Sequence, residues 1–96
     1  MRAAVEISMY PLAGDYRPPI QDFIDRLNLY PELQVLTNTL STQIWGDLAR
    51  VMAILADEMR RATGGPQLVF VLKVLPGLAA PAHAQRAEEP SAAAAP

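Results

Sequence analysis

The chain has 96 residues, 51% of them apolar and 19% charged, with a formal net charge of −2. That length fits one small domain and that balance an ordinary globular chain. No basic excess offers a field for nucleic acid or an anionic membrane surface. There is no cysteine, which excludes disulfides, thiolate metal sites and a cysteine nucleophile, and fits a reducing compartment. The longest apolar runs fall far short of the roughly 20 residues that span a bilayer. The first twelve residues carry Glu6 in their middle and have no long apolar core, so they do not read as a signal peptide. The expectation is a cytoplasmic protein.

Residues 3–9 read as a strand, with Val5, Ile7 and Met9 alternating against Ala4, Glu6, Ser8 and Tyr10. Pro11 ends it, and Gly14 and Asp15 mark a loop. Pro18 and Pro19 fit the first turn of a helix running to about residue 28. Its apolar stripe is Ile20, Phe23, Ile24 and Leu27; Gln21, Asp22, Asp25 and Arg26 form a solvated face. Asn28 is predicted to close the helix as a left-handed cap before Pro31.

Two short strands follow, at 33–36 and 42–45, joined by a polar patch of Thr37, Asn38, Thr39, Ser41 and Thr42. Such side chains bond their own backbone at turns. They also offer neutral donors and acceptors to a ligand. The residues alone admit both readings. In the third strand Leu40, Thr42 and Ile44 alternate with Ser41, Gln43 and Trp45, and Gly46 is expected to end it. Asp47 is placed to N-cap a second helix with Leu48, Val51, Met52, Leu55 and Met59 on its stripe. Arg60 and Arg61 suit its negative end, and 63–66 closes it. The methionines read as core filler.

Residues 68–75 form the fourth strand, apolar on both faces except for Lys73, which predicts a central strand covered on both sides. The remainder, 79–96, is Ala/Pro-rich and aperiodic, expected to be a disordered tail beyond a domain spanning 1–78. Its His83 is the only histidine, and one histidine makes a poor metal site.

The order β-α-β-β-α-β predicts an α+β ferredoxin-like sandwich, a four-stranded antiparallel sheet with two helices on one face. Two helices leave the other face open. Either Leu68, Phe70, Leu72 and Val74 or Val69, Val71 and Leu75 must then lie on it, and an apolar face of that size marks an interface. A homodimer or homotetramer through the sheet is therefore expected, all the more because a small domain buries less of its own surface.

Residues 7–12 (Ile-Ser-Met-Tyr-Pro-Leu), Tyr16, and the Pro18-Pro19-Ile20 helix start with Phe23 and Ile24 carry a resemblance. So do Val35, Thr37, Asn38, residues 40–44 (Leu-Ser-Thr-Gln-Ile), Gly46, Phe70, Lys73, Val74, Pro76 and Gly77. Together, over about 4–77, they resemble the small YkoF-like thiamine-binding family. That resemblance implies the same ferredoxin-like fold, association through sheets, and binding of thiamine or its hydroxymethylpyrimidine half. An aminopyrimidine is flat, neutral and amphipathic, and needs an apolar or aromatic wall with a few placed polar groups. Ser8, Thr37, Asn38, Ser41, Thr42 and Gln43 are the implied polar groups, and Tyr10 and Trp45 the stacking walls. Tyr10 also reads as a strand-end packing residue and Trp45 as a core or interface anchor. For thiamine itself, Glu6 or an aromatic face would complement the cationic thiazolium.

The function expected is non-enzymatic binding in vitamin salvage, transport or sensing, with no cofactor. The alternative is a structural module that oligomerises through its sheet without a ligand. An enzyme is disfavoured. The sequence shows no Ser/His/Asp set, phosphate loop or metal-ligand cluster, and Lys73 reads as a residue that snorkels or pairs with a carboxylate rather than as a base.

Overall fold

The computed structural model describes residues 1–12, 14, 17–38, 41–65 and 67–77. Among these the chain forms β1 (Arg2–Pro11), α1 (Arg17–Leu27), β2 (Gln34–Thr37), β3 (Thr42–Asp47), α2 (Leu48–Ala62) and β4 (Leu68–Pro76). The sheet order is β2-β3-β1-β4, antiparallel at every pairing. This is the expected α+β ferredoxin-like sandwich. The predicted 79–96 tail, with His83, lies outside the described residues.

Register explains the layers. Val5 pairs with Ile44 and Val74, and Ile7 with Thr42 and Leu72. Because side chains alternate along a strand, these form one inward surface. Val5, Ile7 and Ile44 pack there against Phe23 and Leu27 of α1 and Val51, Ile54 and Leu55 of α2. The Phe23 and Phe70 rings meet at 5.3 Å, tilted by 47°, tying α1 to β4.

Several expectations are corrected. β4 is an edge strand, paired only with β1 among the described residues; β1 and β3 are central. Leu68, Phe70 and Leu72 are half-buried on the helix side, while Val69, Val71 and Leu75 are 42%, 49% and 55% exposed on the open side. Within the single chain the apolar run thus sets one row of side chains against the helices and the other on the face the helices leave open. On α2, Met52 is exposed and Ile54 buried. The buried row is Val51, Ile54, Leu55 and Glu58, equally compatible with helical spacing but rotated from the predicted stripe.

Gly46 lies inside β3 rather than ending it. A Cβ there would stand 2.9 Å from Val51 Cγ2 and 3.2 Å from Leu33 Cδ2, so close approach requires glycine. Asn28 is not left-handed, since no described non-glycine residue has positive φ. Its side-chain amide instead donates to the Ile24 carbonyl at 2.9 Å. Asp47 N-caps α2 as expected, accepting from the Arg50 N–H at 3.2 Å. That bond, with the N-terminal ammonium 3.3 Å away, holds its carboxyl below the usual range.

Candidate functional site

A cavity of about 580 Å³ opens where β1 leaves the sheet beside the β2–β3 hairpin and the start of α1. Volumes of that order hold small molecules. Ile20, Phe23 and Ile24 form its apolar wall with Ile7 and Met9; Ser8, Tyr10, Thr37, Asn38, Ser41 and Thr42 complete its lining.

Local chemistry sets the hairpin. The Asn38 N–H donates to the Ser41 carbonyl at 3.0 Å, and the Ser41 N–H donates to Asn38 Oδ1 at 3.1 Å. Thr37 and Thr42 face each other across the ladder with their hydroxyls 3.1 Å apart. Thr42 is 6% exposed and Thr37 half-buried, so the pair is partly shielded where it borders the cavity. The Ser41 hydroxyl turns away and donates to Glu6 Oε2 at 3.0 Å. Ser8 and Tyr10 lie on the opposite strand parity from Ile7 and Met9, yet both border the cavity because it sits at the sheet's end. Tyr10 is 53% exposed. The described lining carries no carboxylate, lysine, arginine or histidine.

Gln43 and Trp45, also predicted for the site, are not brought to this cavity. Strand alternation sends them to the open face, where they border a separate concavity of about 390 Å³ with Ala4, Glu6, Lys73 and Leu75. Glu6, the expected thiazolium partner, lies there too, with Lys73 Nζ at 3.7 Å from its Oε1. Trp45 is only 6% exposed. Its indole nitrogen and the amide nitrogen of its register partner Gln34 are buried without a hydrogen-bond partner.

One cluster was not anticipated. Glu58 is 3% exposed and accepts from the Tyr30 hydroxyl at 2.7 Å. Arg61 and Arg26 stand 3.4 and 3.6 Å from its Oε1, close enough to pair in charge but not to hydrogen-bond. The bond to a carboxylate, with burial adding to it, raises the Tyr30 phenol above its ordinary value. The group borders a small cavity of about 160 Å³ between the helices. The signal was present: Glu58 stands three, four and seven residues after Leu55, Ile54 and Val51, on the buried row. Among the described residues no three acidic, histidine or cysteine side chains converge as a metal site, and no helix is long and apolar enough to cross a membrane.

No protein-family model and no curated protein matches the chain. Solved structures do. A Thermotoga maritima protein named as a candidate for thiamine biosynthesis or salvage superposes with a TM-score of 0.75 at 15% identity, over 88% of this chain and 95% of that one. A Streptococcus pneumoniae protein gives 0.74 at 20% identity, over 81% and 89%. A hypothetical protein from Methanocaldococcus jannascii gives 0.67 at 22% identity, over 76% and 77%. At such identities the likeness is one of fold, and the fold is what the chain shares with these proteins.

Proposed function

We propose that the chain binds the hydroxymethylpyrimidine half of thiamine in the 580 Å³ cavity as a binding protein rather than an enzyme. The observation that carries this reading is the convergence of neutral hydroxyl and amide groups on an apolar-walled cavity with no formal charge in its described lining. A neutral aminopyrimidine matches such a lining, because its ring nitrogens accept and its amine donates. A cationic thiazolium would find no counter-charge there, so in intact thiamine it points outward past the exposed Tyr10. The fold likeness to the Thermotoga maritima protein agrees with a thiamine-related role.

The chain also associates with further copies of itself through the open sheet face. The exposed Val69, Val71 and Leu75, and the dry donors of Trp45 and Gln34 on the same face, support this.

Amide chemical-shift mapping tests the ligand reading. Hydroxymethylpyrimidine should shift residues 8–12 and 37–42 and leave 73–75 unmoved. Shifts centred on 73–75 would place the ligand on the open face and overturn it.

A further inference from the structure

Glu58 has one oxygen that the chain itself does not satisfy. The residue is 3% exposed, and its Oε2 accepts from the Tyr30 hydroxyl at 2.7 Å. Its Oε1 is buried without a hydrogen-bond donor, a state that costs free energy and calls for a partner. The nearest cations, Arg61 Nε at 3.4 Å and Arg26 Nε at 3.6 Å, pair with it in charge alone. Glu58, Arg26 and Arg61 all line the cavity of about 160 Å³ between the helices, together with Asp22.

Donors are in surplus around this oxygen. A guanidinium carries five N–H groups. Among the described residues the Arg26 side chain hydrogen-bonds only through Nε, to Asp22 Oδ2 at 3.1 Å, and that of Arg61 makes no hydrogen bond. The formal charges of the lining cancel, two arginines against Asp22 and Glu58. The first turn of α1, at Pro19, and the last turn of α2, at Ala62, bring dipoles of opposite sign to it. The side chains therefore decide what the cavity takes. A ligand that completes the set accepts from two guanidiniums and donates to a carboxylate. Sulfate or an ionised carboxylate does only the first, and sets a bare oxygen against Oε1. An ammonium group does only the second, and meets two arginines. A phosphate that keeps a proton does both.

We propose that this cavity binds protonated phosphate, its P–OH donating to Glu58 Oε1 and its other oxygens accepting from Arg26 and Arg61. Glu58 sets the specificity, because it disfavours any oxyanion that lacks a proton. Arg61 is 55% exposed and pivots to uncover Oε1 as the anion enters. A phosphate monoester loses its last proton with a pKa of about 6, so at neutral pH the free ion is the better fit. The site does not depend on the hydroxymethylpyrimidine reading, although Met9 and Phe23 border both cavities.

Titration of the full chain with inorganic phosphate at matched ionic strength, followed by amide chemical shifts, tests the proposal. Saturable shifts in residues 22–26 and 58–65 are expected, with 37–42 unmoved. Sulfate should bind about tenfold more weakly or worse, the worth of one hydrogen bond to a charged group. Glycerol phosphate should also bind more weakly than the free ion. Glu58→Gln places an amide donor where the carboxylate accepted. Sulfate should then bind better than it does to the parent chain, and the preference for phosphate should shrink to about threefold or less. If that variant misfolds, Arg61→Gln, at an exposed position, should keep the folded circular-dichroism spectrum and weaken phosphate binding about tenfold. No saturable shifts, equal binding of phosphate and sulfate by the parent chain, or tighter binding of glycerol phosphate than of the free ion would overturn the proposal. So would an unchanged phosphate preference in folded Glu58→Gln, or undiminished phosphate binding in folded Arg61→Gln.

Discussion

The Ser41 hydroxyl donates to Glu6 Oε2 at 3.0 Å, joining the rim of the cavity to the open face of the sheet. Glu6 in turn faces Lys73 Nζ at 3.7 Å. The hydroxyl is thus spent away from the cavity. Ser41→Ala and Glu6→Gln should each leave hydroxymethylpyrimidine affinity within about threefold of the parent, less than 1 kcal/mol. A loss above tenfold in either would show that Ser41 turns inward to meet the ligand.

Asn38 differs because its side chain both shapes the hairpin and borders the cavity. Asn38→Ala should weaken hydroxymethylpyrimidine binding by about 1–3 kcal/mol, the cost of leaving a polar group unpaired. Calorimetric titration checks this, with circular dichroism confirming the fold. Unchanged affinity in a folded variant would remove Asn38 from the site.

Gly46→Ala should destabilise the fold by about 1–3 kcal/mol, the usual cost of overpacking. The added methyl meets Val51, which is fully buried and cannot yield. Urea denaturation should show the midpoint falling with little change in slope.

The Tyr30–Glu58 bond gives a pH signature. The folded phenol is raised above 10.0, chiefly by that bond. The stability it contributes is complete below the unfolded value and is lost as pH rises through the folded one. Tyr30→Phe should lower stability at neutral pH by about 1 kcal/mol and flatten the alkaline fall. Denaturation at pH 7 and at stepped alkaline pH measures both.

Periodicity alone made the element order legible, because β1 and α1 each bury one face. It could not place β4. A run such as 68–75 looks the same whether covered on both sides or left at an edge, and only the β1–β4 pairing decides. The site divides for a related reason. The turn chemistry of Asn38 and Ser41 is local and could be read directly, whereas bringing Ser8 and Tyr10 beside it depends on a register between distant segments. Gln43 and Trp45 were grouped with that site by likeness to a family. Their alternation with Thr42 and Ile44, visible in the sequence, already assigned them to the opposite face.

The most direct test of the ligand claim is calorimetric titration of the full chain with hydroxymethylpyrimidine and, separately, with thiamine. Saturable binding of hydroxymethylpyrimidine at micromolar or better affinity, with thiamine within about tenfold, is the predicted result. Binding of thiamine alone would contradict a cavity built for the neutral ring. No heat with either ligand from a folded sample would contradict the ligand role altogether.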